Sequence, residues 1–143
     1  MLRKILILFV CCISVSLNAQ LQSPKEFLGY ELGTRFSRHH QVVDYFQQLE
    51  QNSTQIQLVP YGKTNEGRLL QLAFISTSEN LKNLEAIRTA HLQNSESVAG
   101  PKNDNKSIVW LSYNVHGNES SSTEASMKTA YDLLTQYPEW LKD

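Results

Sequence analysis

The feature that most constrains this chain is an apolar run that leads directly into a His-x-x-Glu pair. Residues 107–114 contain the continuous run Ile-Val-Trp-Leu, which is typical of a strand covered on both faces and predicts a strand here. His116 and Glu119 follow at the carboxyl end of that strand, where open α/β sheets place their active sites. Gly117 permits a sharp turn between the two, so their side chains are expected to converge.

An imidazole and a carboxylate at this spacing predict a zinc site. A catalytic zinc often takes two His and one Glu and leaves one position open for water, so His116 and Glu119 offer two of three ligands. The alternative is an ordinary helix start, with His116 in a loop and Glu119 favoured by the helix dipole. Neither a third ligand nor a general base can be assigned to another residue, and Glu124 is interpreted as part of the helix start.

The remaining histidines lie at the ends of predicted helices. His39 and His40 open one helix and His91 ends another, and we interpret each as a solvated terminus residue rather than a ligand. Asn114 and Asn118 flank His116 and are candidates for orienting that histidine or a substrate.

Hydrophobic periodicity predicts strands that alternate with helices. The first predicted elements are a helix over 38–51 with Ser37 as its N-cap, strands over 55–61 and 68–76, and a helix over 80–93. A polar loop over 94–105, the strand over 107–114 and a helix from about 120 to 137, which Pro138 ends, follow. Turn residues at 62–67 join the first two strands into an expected antiparallel hairpin. The order predicts an α/β fold, with a mixed sheet flanked by helices.

The first 19 residues have the layout of a secretory signal peptide. Arg3 and Lys4 give a positive start, residues 5–17 are apolar, and Ala19 is a small residue at the expected cleavage point. A transmembrane helix is the alternative, but a span needs about 20 apolar residues. We therefore expect residues 1–19 to be removed, with the protein exported to the periplasm or the extracellular space, without a membrane span.

The remaining residues, 20–143, are interpreted as one portion of a domain. Cys11 and Cys12 are the chain's cysteines, so the processed protein can have neither disulfides nor thiolate zinc ligands. Loss of Arg3 and Lys4 leaves 11 basic against 14 acidic residues, a net charge of −3. No basic patch stands out, so nucleic acid is not an expected partner.

Two motifs together resemble the M14 metallocarboxypeptidases. Residues 115–119 read Val-His-Gly-Asn-Glu, are followed by Ser-Ser-Ser-Thr-Glu-Ala, and are similar to the first zinc-binding motif of that family. Residues 61–68 read Tyr-Gly-Lys-Thr-Asn-Glu-Gly-Arg and resemble the hairpin near the start of its catalytic domain. The order of elements also agrees, and the resemblance covers the chain from about Pro24 onward.

The resemblance implies a fold, an activity and a set of site residues. The family fold is an α/β/α sandwich, of which this chain would be a partial copy, incomplete at the C-terminus. The implied activity is zinc-dependent hydrolysis of C-terminal peptide bonds in peptides or proteins, with His116 and Glu119 as zinc ligands. Many members place an Arg before that Glu, where it contacts substrate, and Asn118 holds this position here.

The resemblance also implies residues that this sequence does not contain. A third ligand His, an Asn-Arg pair for the substrate carboxylate, a Tyr and a general-base Glu would all lie after Asp143. The chain would then be an N-terminal fragment that is inactive alone. Two rival interpretations stay open: a secreted non-catalytic binding domain on the same scaffold, and a related zinc amidohydrolase that acts on cell-wall peptides or acyl amino acids.

Overall fold

The computed structural model of the chain describes residues 20–96 and 106–142. The expected signal peptide, with Cys11 and Cys12, and most of the expected loop at 94–105 lie outside these ranges. The described elements are α1 (Pro24–Leu28), α2 (His39–Asn52), β1 (Ile56–Lys63), β2 (Leu69–Ile75), α3 (Ser78–Lys82), α4 (Leu84–Glu96), α5 (Ser120–Thr135) and the 3₁₀ helix η1 (Pro138–Leu141). The predicted α/β class is confirmed, as a two-stranded antiparallel sheet with helices packed on it.

A short helix occupies the segment that precedes α2. Ser23 accepts a hydrogen bond from the Glu26 amide at 3.3 Å, and the Glu26 carboxylate accepts one from the Ser23 amide at 2.8 Å. This reciprocal capping box, with Pro24 at the first helical position, satisfies backbone amides at the start of α1 and so stabilises the helix. The Ser-x-x-Glu spacing of Ser23 and Glu26 is the local sequence signal for this helix start.

Helix α2 supplies one side of the hydrophobic core. Tyr45 and Leu49 lie four residues apart on one face of the helix, and both are fully buried. Ser37 was the expected N-cap, but the structure places Arg38 there, with its amide donating to Gln41 Oε1 at 2.8 Å. Ser37 is drawn away because its hydroxyl bonds to a residue of α5.

The predicted hairpin is confirmed, with an irregularity inside β1. Strands β1 and β2 pair antiparallel, and the register shifts between Pro60 and Gly62. Pro60 has no amide proton to give to the ladder, so its place beside a bulge on an edge strand is physically expected. The turn closes with the Thr64 amide donating to the Arg68 carbonyl at 2.9 Å, and Gly67 adopts a φ of 78° there.

The helix predicted over 80–93 is two helices in the structure. Thr77 caps α3 by accepting from the Asn80 amide, so the first helix begins earlier than predicted. Asn83 then ends it, because its amide bonds to the Asn80 carbonyl in a tighter three-residue turn. The chain restarts as α4 at Leu84.

The strand predicted over 107–114 is wrong for the described structure. Residues 106–114 have no regular secondary structure, and Trp110 is 72 % exposed. A strand needs a neighbour to take its backbone hydrogen bonds, and none of the described segments pairs with this one. The segment and β2 instead line a groove of about 1010 Å³.

Helix α5 completes the core from the opposite side. Met127 is fully buried against α2, and Ala130, Leu134 and Leu141 of η1 extend the same cluster. The predicted helix after Glu119 is therefore confirmed, although Pro138 begins the 3₁₀ turn η1 instead of only ending the helix. Among the helices of the described ranges, none is long and apolar enough to cross a bilayer.

Tyr45 ties the lead-in segment to the core. Its ring packs edge-on against Phe27 at 5.1 Å and against Phe46 at 6.4 Å, and its hydroxyl donates to the Gln22 carbonyl at 2.9 Å. Burial raises the pKa of the Tyr45 hydroxyl above its ordinary value of 10.0. The neutral phenol is thus part of the folded state.

This raised pKa predicts a loss of stability in alkali. Above pH 10 the unfolded chain loses the Tyr45 hydroxyl proton, whereas the folded chain keeps it. The contribution of the neutral Tyr45 hydroxyl to the free energy of unfolding is therefore complete below pH 10 and falls as the pH rises further. We expect the free energy of unfolding, measured by urea titration, to fall more steeply above pH 10 in the wild type than in Tyr45→Phe. At neutral pH the variant should lose about 0.5–1.5 kcal/mol with its hydrogen bond. Parallel pH profiles for the two proteins would contradict this account.

Candidate metal site

His116 and Glu119 lie in a turn between the extended segment and α5. The His116 amide donates to Glu119 Oε2 at 3.3 Å, and His116 Nδ1 lies 2.7 Å from Glu119 Oε1. The Glu119 amide also bonds back to the His116 carbonyl at 3.1 Å, which closes the turn. The expected convergence of the two side chains is therefore present.

Both side chains are open to solvent. The His116 side chain is 73 % exposed and that of Glu119 is 45 % exposed. The two atoms are hydrogen-bonded to each other, and they are of the types that zinc prefers, so the pair fits two positions of a shared zinc ion once the proton between them is lost. Across residues 20–96 and 106–142, however, no group of three His, Cys, Asp or Glu residues could hold a metal ion. The described residues thus provide a half-site.

The other histidines are not brought to this turn. His39 and His40 are exposed at the start of α2. His91 of α4 places Nε2 2.6 Å from the Lys106 carbonyl, so it links the helix to the extended segment. The positions of His39 and His40 agree with their interpretation as terminus residues. That interpretation is wrong for His91, because α4 continues to Glu96 and the half-buried His91 ring bonds to the Lys106 carbonyl.

Asn118 is exposed in the turn between His116 and Glu119. Its side chain makes no hydrogen bond to any of the residues that the structure describes. It is therefore free to meet a ligand from solvent, and its assignment as a substrate-contact residue stays a prediction.

Asn114 holds the turn from its other end. Its backbone adopts a φ of 53°, a left-handed conformation that Asn tolerates better than most residues. Its side-chain amide donates to the Glu119 carbonyl at 3.0 Å and to Thr123 Oγ1 at 3.0 Å. The sequence places Asn114 beside the histidine, but it does not predict the contact with Thr123, because a side-chain contact across nine residues has no local signature.

Glu124 has a different role from the one expected. It was interpreted as a first-turn residue stabilised by the helix dipole, but it lies in the second turn of α5 and is 7 % exposed. Its carboxylate accepts hydrogen bonds from the Gly33 amide at 2.5 Å and from the Ser37 hydroxyl at 2.7 Å. Tyr30 shares the Ser37 hydroxyl at 2.7 Å. Glu124 thus fastens the loop before α2 onto α5.

A comparison with protein families gives one finding. A family model described as zinc carboxypeptidase matches residues 42–142, a range that contains both the hairpin and the His-x-x-Glu turn. No curated protein and no solved structure matches the chain.

The contacts of Glu124 predict a large effect of its removal on stability. Glu124→Ala removes a buried acceptor and leaves the Gly33 amide and the Ser37 hydroxyl without it, and we expect a loss of about 1–3 kcal/mol in urea unfolding. Glu66→Ala is the matched control, because Glu66 makes an exposed ion pair with Arg68 and should change stability by less than about 1 kcal/mol. Equal losses in the two variants would show that the Glu124 contacts contribute nothing beyond a surface charge.

Proposed function

The chain belongs to the zinc carboxypeptidase family, and from this premise we propose that His116 and Glu119 are two zinc ligands of a metallocarboxypeptidase active site. The family is zinc-dependent, and its membership supports a metallopeptidase function. The substrates we propose are peptides or proteins, cleaved at their C-terminal peptide bond.

One observation carries this proposal: the 2.7 Å approach of His116 Nδ1 to Glu119 Oε1 within the matched range. A pair whose donor atoms lay far apart would not be able to share an ion. Here both side chains are exposed and their donor atoms converge, although the residues belong to a turn and to the N-cap of a helix. Close convergence of N and O donors is what a zinc site requires.

The residues of the turn have different proposed roles in the site. When bound, zinc would supply a Lewis acid that polarises the scissile carbonyl. His116 and Glu119 would hold it at the end of the groove-lining segment, and the exposed Asn118 between them would face the substrate. Glu124 takes no part in proton transfer, because its carboxylate is committed to Gly33 and Ser37.

The remaining ligand and the general base come from outside the described residues under this proposal. The half-site at His116 and Glu119 cannot hold a zinc ion in the geometry that catalysis needs, since a catalytic site uses three protein ligands. A proton acceptor is needed as well, because the attacking water must lose its proton.

Export is a separate part of the proposal. The layout of residues 1–19 supports passage through the membrane with removal of the leader, so the working compartment is the periplasm or the extracellular space. N-terminal sequencing of the exported protein should begin at Gln20, and a protein that retains the leader would refute this part.

Residues 20–143 alone are expected to be inactive. The described part has two candidate ligands and no three-residue metal group, so we expect no zinc-dependent release of C-terminal residues from peptides. The assay is release of free amino acid with zinc added and with zinc chelated. Zinc-dependent turnover by residues 20–143 would overturn the proposal that the remaining ligand and the general base come from outside the described residues.

The product of the native gene provides the test of the ligands. We expect it to contain about one zinc per chain by elemental mass spectrometry and to release C-terminal residues from peptides. His116→Ala and Glu119→Gln should each lower zinc affinity and activity by more than about a hundredfold, since loss of a direct ligand exceeds the effect of an outer-shell change. His40→Ala is the matched control, because His40 is exposed at the start of α2.

The same experiment separates the rival functions. A native protein without zinc and without turnover would favour the non-catalytic binding domain. A zinc protein that hydrolyses acyl amino acids or cell-wall peptides, but not ordinary peptides, would identify the amidohydrolase. Unchanged zinc binding in His116→Ala and Glu119→Gln would refute the ligand assignment itself.

A further inference from the structure

We propose that Asn114 and Thr123 form a clasp that positions His116 and Glu119 for metal binding. The inference rests on the proposed function, since it assigns a positioning role in the same site. Residues 114–119, the ligand turn, contain both candidate ligands. The two ends of this turn are joined by the Asn114 side chain rather than by the backbone hydrogen bonds of a sheet.

The clasp closes the turn at its base. Asn114 is the first residue of the ligand turn and Glu119 is its last, and the Asn114 side-chain amide reaches the Glu119 carbonyl at 3.0 Å. His116 lies within the loop that this bond closes. A closed loop of six residues has far fewer conformations than an open one, so the distance between the two ligands is restricted.

Thr123 fixes the clasp to a rigid element. Its hydroxyl lies 3.0 Å from Asn114 Nδ2 and 3.3 Å from Asn114 Oδ1, so both ends of the amide meet the same side chain. Thr123 belongs to the first turns of α5, four residues before the fully buried Met127. Through this contact the ligand turn keeps a fixed position relative to the core. It does not move with the exposed segment that precedes it.

The backbone of Asn114 points to the same conclusion. A φ of 53° is unfavourable for most residues, and the structure adopts it at the one described non-glycine position where the amide gains these partners. The exposed segment of residues 107–113 has no backbone pairing of its own within the described ranges, so it cannot supply the rigidity. The side-chain clasp therefore attaches the turn to α5, in addition to the backbone bond between Glu119 and His116 that closes the turn itself.

The test uses the product of the native gene with substitutions on both sides of the clasp. Asn114→Gly removes the amide while leaving the left-handed backbone accessible. Thr123→Val removes the hydroxyl at nearly constant shape, and Thr123→Ser restores it. Thr135→Val is the control on the same helix, because the Thr135 hydroxyl donates to the Tyr131 carbonyl at 2.8 Å and accepts from Gln136 Nε2 at 3.4 Å, at the opposite end of α5 from the turn.

Two measurements are made on each protein. In the metal-free state, hydrogen exchange of the Glu119 amide should be about tenfold faster in Asn114→Gly and Thr123→Val than in the wild type, because the turn opens more often. With Co²⁺ as the probe metal, affinity should fall about 10–100-fold in both variants, and the visible absorption bands of the bound ion should change. Thr123→Ser and Thr135→Val should match the wild type in both measurements.

The outcomes distinguish this inference from the proposed function. If the wild type binds no Co²⁺, the proposed function fails, while faster Glu119 exchange in the variants still supports the clasp. If the wild type binds Co²⁺ and Asn114→Gly binds it equally well, the positioning role is overturned and the function stands. Unchanged exchange in both clasp variants overturns the inference by itself. Should Asn114→Gly fail to fold, the comparison of Thr123→Val with Thr123→Ser decides the question.

Discussion

The packing of α2 against α5 is the contact on which the rest of the described structure depends. Tyr45 and Leu49 of α2 and Met127 of α5 are fully buried, and each such side chain contributes about 1.5–3 kcal/mol by leaving water. The lead-in segment is attached to this core through the Tyr45 hydroxyl, and the hairpin through Ile56. Within the described residues, the His-x-x-Glu turn is attached to the core through the first turns of α5, so its position follows that of the helix.

Adjacent residues of α5 fasten two different segments. Thr123 bonds to Asn114 at the base of the ligand turn, while Glu124 bonds to Gly33 and Ser37 in the loop before α2. These polar side chains are partly or fully buried and hydrogen-bonded, as buried polar groups are in folded proteins. One helix therefore organises the candidate site on one side and the N-terminal loop on the other, without supplying a ligand or a base itself.

The extended segment before the turn illustrates a limit of hydrophobic patterning. The run Ile-Val-Trp-Leu indicates a surface that ought to be covered, yet in the described residues Trp110 and its neighbours are exposed beside the groove. An apolar run specifies that burial is favourable, but it does not identify the partner that provides it. For the same reason, the class of the fold could be predicted here although the number of paired strands could not.

The sequence by itself determined the helices α2 and α5, the hairpin and the ligand candidates. The helical spacing of α2 and α5, the hairpin around its turn residues and the His-x-x-Glu spacing are local patterns, and each reflects forces that act over a few residues. Only the tertiary structure decided that Glu124 is a buried fastener, that Ser37 is not a cap, and that Asn114 meets Thr123. These outcomes depend on which distant segments pack together, and a polar side chain takes the partner that packing brings to it.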